Sequence, residues 1–136
     1  MMKKISVTLL SVLLIVLVLC GCGRVKDVQL TIGESELYSQ REIGSAMRKV
    51  KWFFRLTFDG CTLRELSYDE EKSARETAEW AESYGADQVM VIVSSFDVDE
   101  SGGDGSLNPN STYKNWQWIL TCYRGGGWKL KDWGYG

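Results

Sequence analysis

The chain has 136 residues, one proline, six tryptophans and no histidine, with a formal net charge of −2 at pH 7. Without histidine, serine–histidine and cysteine–histidine catalysis are excluded, as is an ordinary zinc site, because the commonest general base and transition-metal ligand are both missing. The acidic balance also excludes nucleic acid as a partner, since that binding rests on neutralising phosphates with a basic patch.

The first residues carry the sharpest signal. Met1-Met2-Lys3-Lys4 is a short basic segment, and from Ile5 to Leu19 only Ser6, Thr8 and Ser11 interrupt an apolar run. That run has the length of a signal-peptide core and falls short of the ~20 residues that span a bilayer. Leu19-Cys20-Gly21-Cys22 follows. It resembles the bacterial lipobox, with an aliphatic residue at −3, a small residue at −1 and then the thiol that receives diacylglycerol. Leu19 is too bulky to precede the acceptor, which sets Cys20 aside in favour of Cys22. The sequence therefore predicts a signal peptide over 1–21, lipidation of Cys22, a tether over 22–27 and one domain over 28–136. Its place is the extracytoplasmic face of the cell membrane. An uncleaved anchor would leave the domain on the same side, because Lys3 and Lys4 stay in the cytoplasm. Cleavage removes those two lysines and leaves 14 basic against 18 acidic residues. Nor does the sequence show a polybasic stretch that would help dock on anionic lipid.

Within the domain, Val28, Leu30 and Ile32 alternate with polar residues and predict a short strand closed by Gly33. Ser39 and Glu42 form a capping box, with Tyr38 and Ile43 at the flanking staple positions. Ile43, Met47, Val50 and Phe54 then recur at helical spacing, predicting a helix from Gln40 to about Thr57 that Asp59-Gly60 ends. Cys61 to Tyr68 reads as a strand whose Leu63 and Leu66 are out of phase unless a bulge intervenes. Ser73 and Glu76 suggest a second capping box, Ala74, Ala78 and Ala81 a small-residue face against a sheet, and Gly85 the helix end. Gln88 to Val98 is a β-branched run suited to a buried central strand. Lys114 to Tyr123 alternates with Trp116, Trp118, Leu120 and Cys122 on one face, and Gly125-Gly126-Gly127 leads to a last strand, Trp128 to Trp133. The order β-α-β-α-β-β-β predicts an α+β fold, a curved antiparallel sheet with helices packed on one face.

The segments 34–39, 60–63, 68–73, 101–113 and 128–135 together resemble an uncharacterised family of small Gram-positive lipoproteins. The resemblance spans essentially the whole mature chain. It implies a cystatin-like or nuclear-transport-factor-like (NTF2-like) fold and supplies no catalytic residues.

Three groups of residues invite a chemical reading. Asp97, Asp99 and Ser101, with Gly102, match positions one, three, five and six of a calcium loop, where hard oxygen ligands converge around a glycine turn; position twelve, however, is the neutral Asn108. Trp116, Trp118 and Trp128 could offer flat rings to a ligand, although aromatics at period two also build cores. Glu70, Glu71, Glu76, Glu79 and Glu82 line the second helix, where paired carboxylates can do acid–base work if burial separates their pKa values and are otherwise a solvated face. Cys61 and Cys122 could close a long loop as a disulfide stabilising by roughly 4 kcal/mol, or stay as separate thiols, the reading the sequence slightly favours. The functional expectation is a non-catalytic, membrane-anchored domain that binds a protein or small ligand at the cell envelope and needs no cofactor. The alternatives are a calcium-stabilised envelope module using the 97–104 loop and a carboxylate-dependent hydrolase or lyase.

Overall fold

The structure is a computed structural model that describes residues 23–124 and 126–135, without the side chains of Glu76, Ala78 and Glu79. The expected signal peptide over 1–21 and the expected lipidation site, Cys22, lie outside the described residues. In chain order the elements are β1 (Gln29–Ile32), α1 (Gln40–Thr57), β2 (Cys61–Tyr68), α2 (Glu70–Tyr84), β3 (Gln88–Val98), β4 (Thr112–Cys122) and β5 (Lys129–Tyr135). They form one five-stranded sheet in the order β1-β2-β3-β4-β5.

The capping box forms as the sequence requires: the Glu42 amide donates to Ser39 Oγ at 3.1 Å and the Ser39 amide reaches the Glu42 carboxylate. The apolar stripe Ile43, Ala46, Met47, Val50 and Phe54 is then buried against the sheet. Gly60, at φ +71°, turns the chain into β2.

Two parts of the expected architecture are corrected. The sheet is mixed, because β1 runs parallel to β2. A strand–helix–strand connection of this kind carries the chain back to the end where it began, and α1 is that crossover. The helices also take different faces. α1 covers Leu63, Leu66, Met90, Ile92, Phe96, Trp118 and Leu120, whereas Trp80, Ala81 and Tyr84 of α2 pack with Val89, Val91 and Ile119. Along β3 the two sets alternate, so they point to opposite sides of the sheet.

The second helix differs in detail as well. Its N-cap is Asp69, which accepts from the Lys72 amide at 3.0 Å, so the expected Ser73–Glu76 box is not the helix start. Ser73 is buried instead, and its hydroxyl accepts the Val91 amide at 3.1 Å. The register between β2 and β3 ends at Ser67↔Val93, which leaves Val89 and Val91 without a β2 partner. Ser73 satisfies Val91, while the Tyr38 and Thr77 hydroxyls donate to the Val89 carbonyl. A buried backbone group left unpaired would cost about 1–3 kcal/mol, which explains polar side chains at this seam. Of the alanines expected on the docking face, Ala81 packs against the sheet and Ala74 is exposed.

Three register shifts shape the sheet. Arg64 is an extra residue in β2, Asn115 at φ +59° accompanies one in β4, and Lys131 is one in β5. Each bulge resets the alternation, so residues three apart share the α1 face: Leu63 with Leu66, Tyr113 with Trp116, Leu130 with Trp133. Bulges also bend and twist their strands.

The chain enters the domain earlier than a tether over 22–27 would allow. The Gly23 amide donates to the Arg55 carbonyl and the Arg24 amide to the Cys61 carbonyl, each at 2.9 Å. Arg24 also makes an isolated parallel bridge to Thr62. A Cβ at position 23 would lie 2.5 Å from the Phe54 carbonyl oxygen and 2.9 Å from that of Phe58, so only glycine fits.

Glu70, at the start of α2, ties down the segment before α1. It accepts from the Ser35 hydroxyl, from the Glu36 amide at 2.9 Å, from the Leu37 amide at 3.3 Å and from the Tyr68 hydroxyl at 3.3 Å. These donors, the Ser35 hydroxyl foremost, hold its carboxyl below the ordinary value of 4.5. A depressed carboxylate contributes stability that is present above the ordinary value and is lost as pH falls through the folded one. Glu70→Gln should therefore lower stability to urea at pH 7, by a deficit that shrinks as pH falls below 4.5 and through the folded value. A deficit that stays constant over that fall in pH would contradict this role.

Candidate functional site

A cleft of about 250 Å³ opens between the end of α1, the loop joining β3 to β4 and the last two strands, lined in part by Phe58, Asp59, Asp104, Leu107, Trp116 and Trp133. Each wall has a local cause. Phe58 follows the last turn of α1, and its amide bonds the Phe54 carbonyl at 2.9 Å. The bulges in β4 and β5 turn Trp116 and Trp133 toward the α1 side. Trp133 packs on Phe53 at 4.4 Å between centroids and stacks on Trp118 at 6.3 Å, yet stays 39% exposed. Trp116 meets Phe58, Phe96, Tyr113 and Tyr135 mostly edge to face. Its indole Nε1 is buried without a hydrogen-bond partner among the described residues. Such a donor costs free energy unless something accepts from it.

The loop that roofs the cleft is pinned by Asp99. The Asp99 backbone donates to Gly60 and its carbonyl accepts from Gly102 and Asn110, while its carboxylate takes the Ser101 amide at 2.9 Å and the Ser101 hydroxyl. Asp104 does the same for Ser106. These bonds, led by the serine hydroxyls, hold both carboxyls below the usual range, so both are ionised at neutral pH. Cys61, at the cleft base, feels the opposite effect. Burial first, and then the negative charges of Asp99, Asp104 and Asp59, push its thiol up to about 11, which keeps it protonated and inert.

Trp116 lines the cleft, but Trp118 and Trp128 do not. Trp118 is fully buried with its indole donating to Ser94 Oγ at 2.8 Å, and Trp128 is buried edge-on against Tyr38. Trp133 joins the wall because the β5 bulge changes the phase of that strand, and Asp59 because it sits in the turn after α1. Asp97 does not converge with Asp99 and Ser101, which bond each other. Asp97 lies on the side of the sheet away from α1, where its carboxylate accepts from Thr112 at 2.7 Å and Arg64 at 2.6 Å. The Arg64 guanidinium occupies the electrostatic role that a cation would take there. Among the described residues no group of three or more histidine, cysteine, aspartate or glutamate side chains could hold a metal ion. Cys61 pairs with the β3 end at Val98 and Cys122 with the other end at Gln88. Ten residues of strand at about 3.3 Å each separate them, far beyond the ~7 Å that a disulfide tolerates. Both are free thiols. Of the helix-two carboxylates, Glu70 is committed to the hydrogen bonds described above, and the side chains of Glu76 and Glu79 lie outside the described residues.

Compared with protein-family models, with curated proteins and with solved structures, the chain matches none.

Because Asp97 is already neutralised by Arg64 and Asp99 closes a turn, millimolar calcium should leave the melting temperature unchanged relative to chelator. A ligand that bound only the folded state would raise it by mass action. A rise that disappears in the Asp97→Asn/Asp99→Asn variant would contradict this assignment.

Proposed function

We propose that the chain is a membrane-anchored lipoprotein whose domain binds, without catalysing a reaction, a cationic group carried by a protein or small ligand at the cell envelope. The observation that carries this reading is the make-up of the cleft. Phe58, Trp116 and Trp133 supply aromatic rings and Asp59 and Asp104 supply carboxylates, with no basic residue among the lining side chains. Rings attract a cation through their negative faces, and nearby carboxylates add a second attraction of the same sign. A volume of about 250 Å³ lies just below the range of small-molecule pockets and suits one side chain or headgroup-sized cation.

The anchor rests on Lys3-Lys4, the apolar run and Leu19-Cys20-Gly21-Cys22. The non-catalytic reading is supported by the absence of histidine, the protonated thiol of Cys61 and the structural engagement of Glu70. The likeness to small Gram-positive lipoproteins of cystatin-like or nuclear-transport-factor-like fold finds support in the long helix lying across a bulged antiparallel meander. The parallel β1 and the second helix on the other face depart from that arrangement. A shared architecture would in any case leave function to the site.

The test is titration of the purified full-length protein, followed by tryptophan emission, with tetramethylammonium and with its uncharged analogue tert-butanol. Cation–π attraction of roughly 0.5–2 kcal/mol predicts weak, saturable binding of the ammonium alone. Trp133→Ala and Asp59→Asn/Asp104→Asn should each abolish it. Equal responses to the two compounds, or none to either, would contradict the reading.

A further inference from the structure

We propose that the outer face of α1 is the surface on which the domain rests against an anionic phospholipid bilayer. The inference rests on the lipid-anchor reading of Cys22, and it adds an orientation that the anchor alone does not give.

The first observation is where the described chain begins. Gly23 is held against the last turn of α1 by its bond to the Arg55 carbonyl and by its close approach to the Phe54 and Phe58 carbonyls. Consecutive Cα atoms are about 3.8 Å apart, so the residue that bears the lipid starts beside that turn. No length of free linker lies between lipid and domain to let the domain drift or tumble. The C-terminal end of α1 is consequently held at the membrane surface.

The second observation is what α1 shows there. Trp52 is 68% exposed and Leu56 is 53% exposed, one helical turn apart on the same side. Arg41, Arg48, Lys49 and Arg55 are exposed as well. At about 100° per residue all four fall within roughly 60° of Trp52 around the helix axis. The helix has one carboxylate, Glu42, and that is engaged at the cap. The ion pair found among the described residues, Arg64–Asp97, lies elsewhere on the sheet. A chain of net charge −2 thus places four of its sixteen cations around an exposed indole and leucine on one helix.

This combination is what a bilayer surface recognises. Indole rings favour the headgroup level, a leucine enters the acyl boundary, and lysine and arginine pair with lipid phosphates. Negative headgroups add attraction for each nearby cation, within about a Debye length of the surface. Along the sequence Arg48 and Lys49 are adjacent, and the helix brings Arg41 and Arg55 round to the same face.

The full-length protein, purified in detergent and reconstituted into vesicles with brominated acyl chains, tests the inference. Intact mass reads the diacylglyceryl group on Cys22, flotation reads anchoring, and bromolipid quenching of tryptophan emission reads the docking face. The wild type should show a quenched component that grows when phosphatidylglycerol replaces phosphatidylcholine. That component should be lost in Trp52→Phe, weakened in Arg48→Glu/Lys49→Glu and unchanged in Trp80→Phe, with every variant still floating. A lipidated wild type that floats but is quenched no more than Trp52→Phe would overturn the docking face and leave the anchor standing. Cross-linked dimers through this face, without quenching, would overturn it in favour of a second copy of the chain. A missing diacylglyceryl mass would overturn the anchor, and the Trp52-dependent quenching would still decide the face.

Discussion

The packing of Phe58 organises this domain more than any other single contact. It stacks on Phe54 at 4.8 Å and meets Phe96 at 5.5 Å and Trp118 at 5.3 Å, with Phe54 itself against Phe96 and Trp118. Such aromatic pairs contribute about 0.5–1.5 kcal/mol each beyond simple burial, so the cluster fixes the end of α1 firmly over the middle of the sheet. Three features then depend on the position of that helix end. Phe58 becomes a wall of the cleft, the Phe54 and Phe58 carbonyls frame the slot for Gly23, and the outer residues Trp52 and Leu56 are left facing solvent. Entry of the chain, aromatic cleft and proposed membrane face are three sides of one packed corner.

The sheet supplies the other half of that corner through its bulges. Without the extra residues near Arg64, Asn115 and Lys131, strict alternation would send one member of each pair Leu63/Leu66, Tyr113/Trp116 and Leu130/Trp133 to the far side. With them, β4 and β5 present both tryptophans of the cleft to the α1 side while Ile119 still packs beneath α2. The far side beyond α2 is polar, and the Arg64–Asp97–Thr112 group lies there. A layer of helix on each face therefore coexists with an open, hydrophilic stretch of sheet.

Much of this was legible in the residues, for identifiable reasons. The α1 boundaries follow from a capping box and a 3.6-residue apolar stripe, and the strands from β-branched runs bounded by glycine and aspartate. Even the bulge in β2 was implied by the phase of Leu63 and Leu66. What was not legible depends on tertiary partners. Ser73 looks like a cap in sequence, but Val91 needed a hydrogen-bond acceptor and took it. Trp116, Trp118 and Trp128 look alike along the chain; burial beneath Phe58 and Tyr38 separates the cleft residue from the core residues. Asp97 and Asp99 match a calcium template by spacing, yet a strand end points them to different networks. That Trp133 lines the cleft follows from the β5 bulge, and that Arg41, Arg48, Lys49 and Arg55 surround Trp52 follows from the helical angle.

The domain is packed right up to the residue after Cys22, with no intervening tether. Amide hydrogen exchange of the purified protein at Gly23 and Arg24 measures this directly, because each amide is donated to a carbonyl inside the fold, Gly23 to Arg55 and Arg24 to Cys61. Both amides should exchange as slowly as those in the last turn of α1, through the same opening of the aromatic corner. Exchange at the rate of an unstructured peptide at both positions would show a free tether and contradict the account.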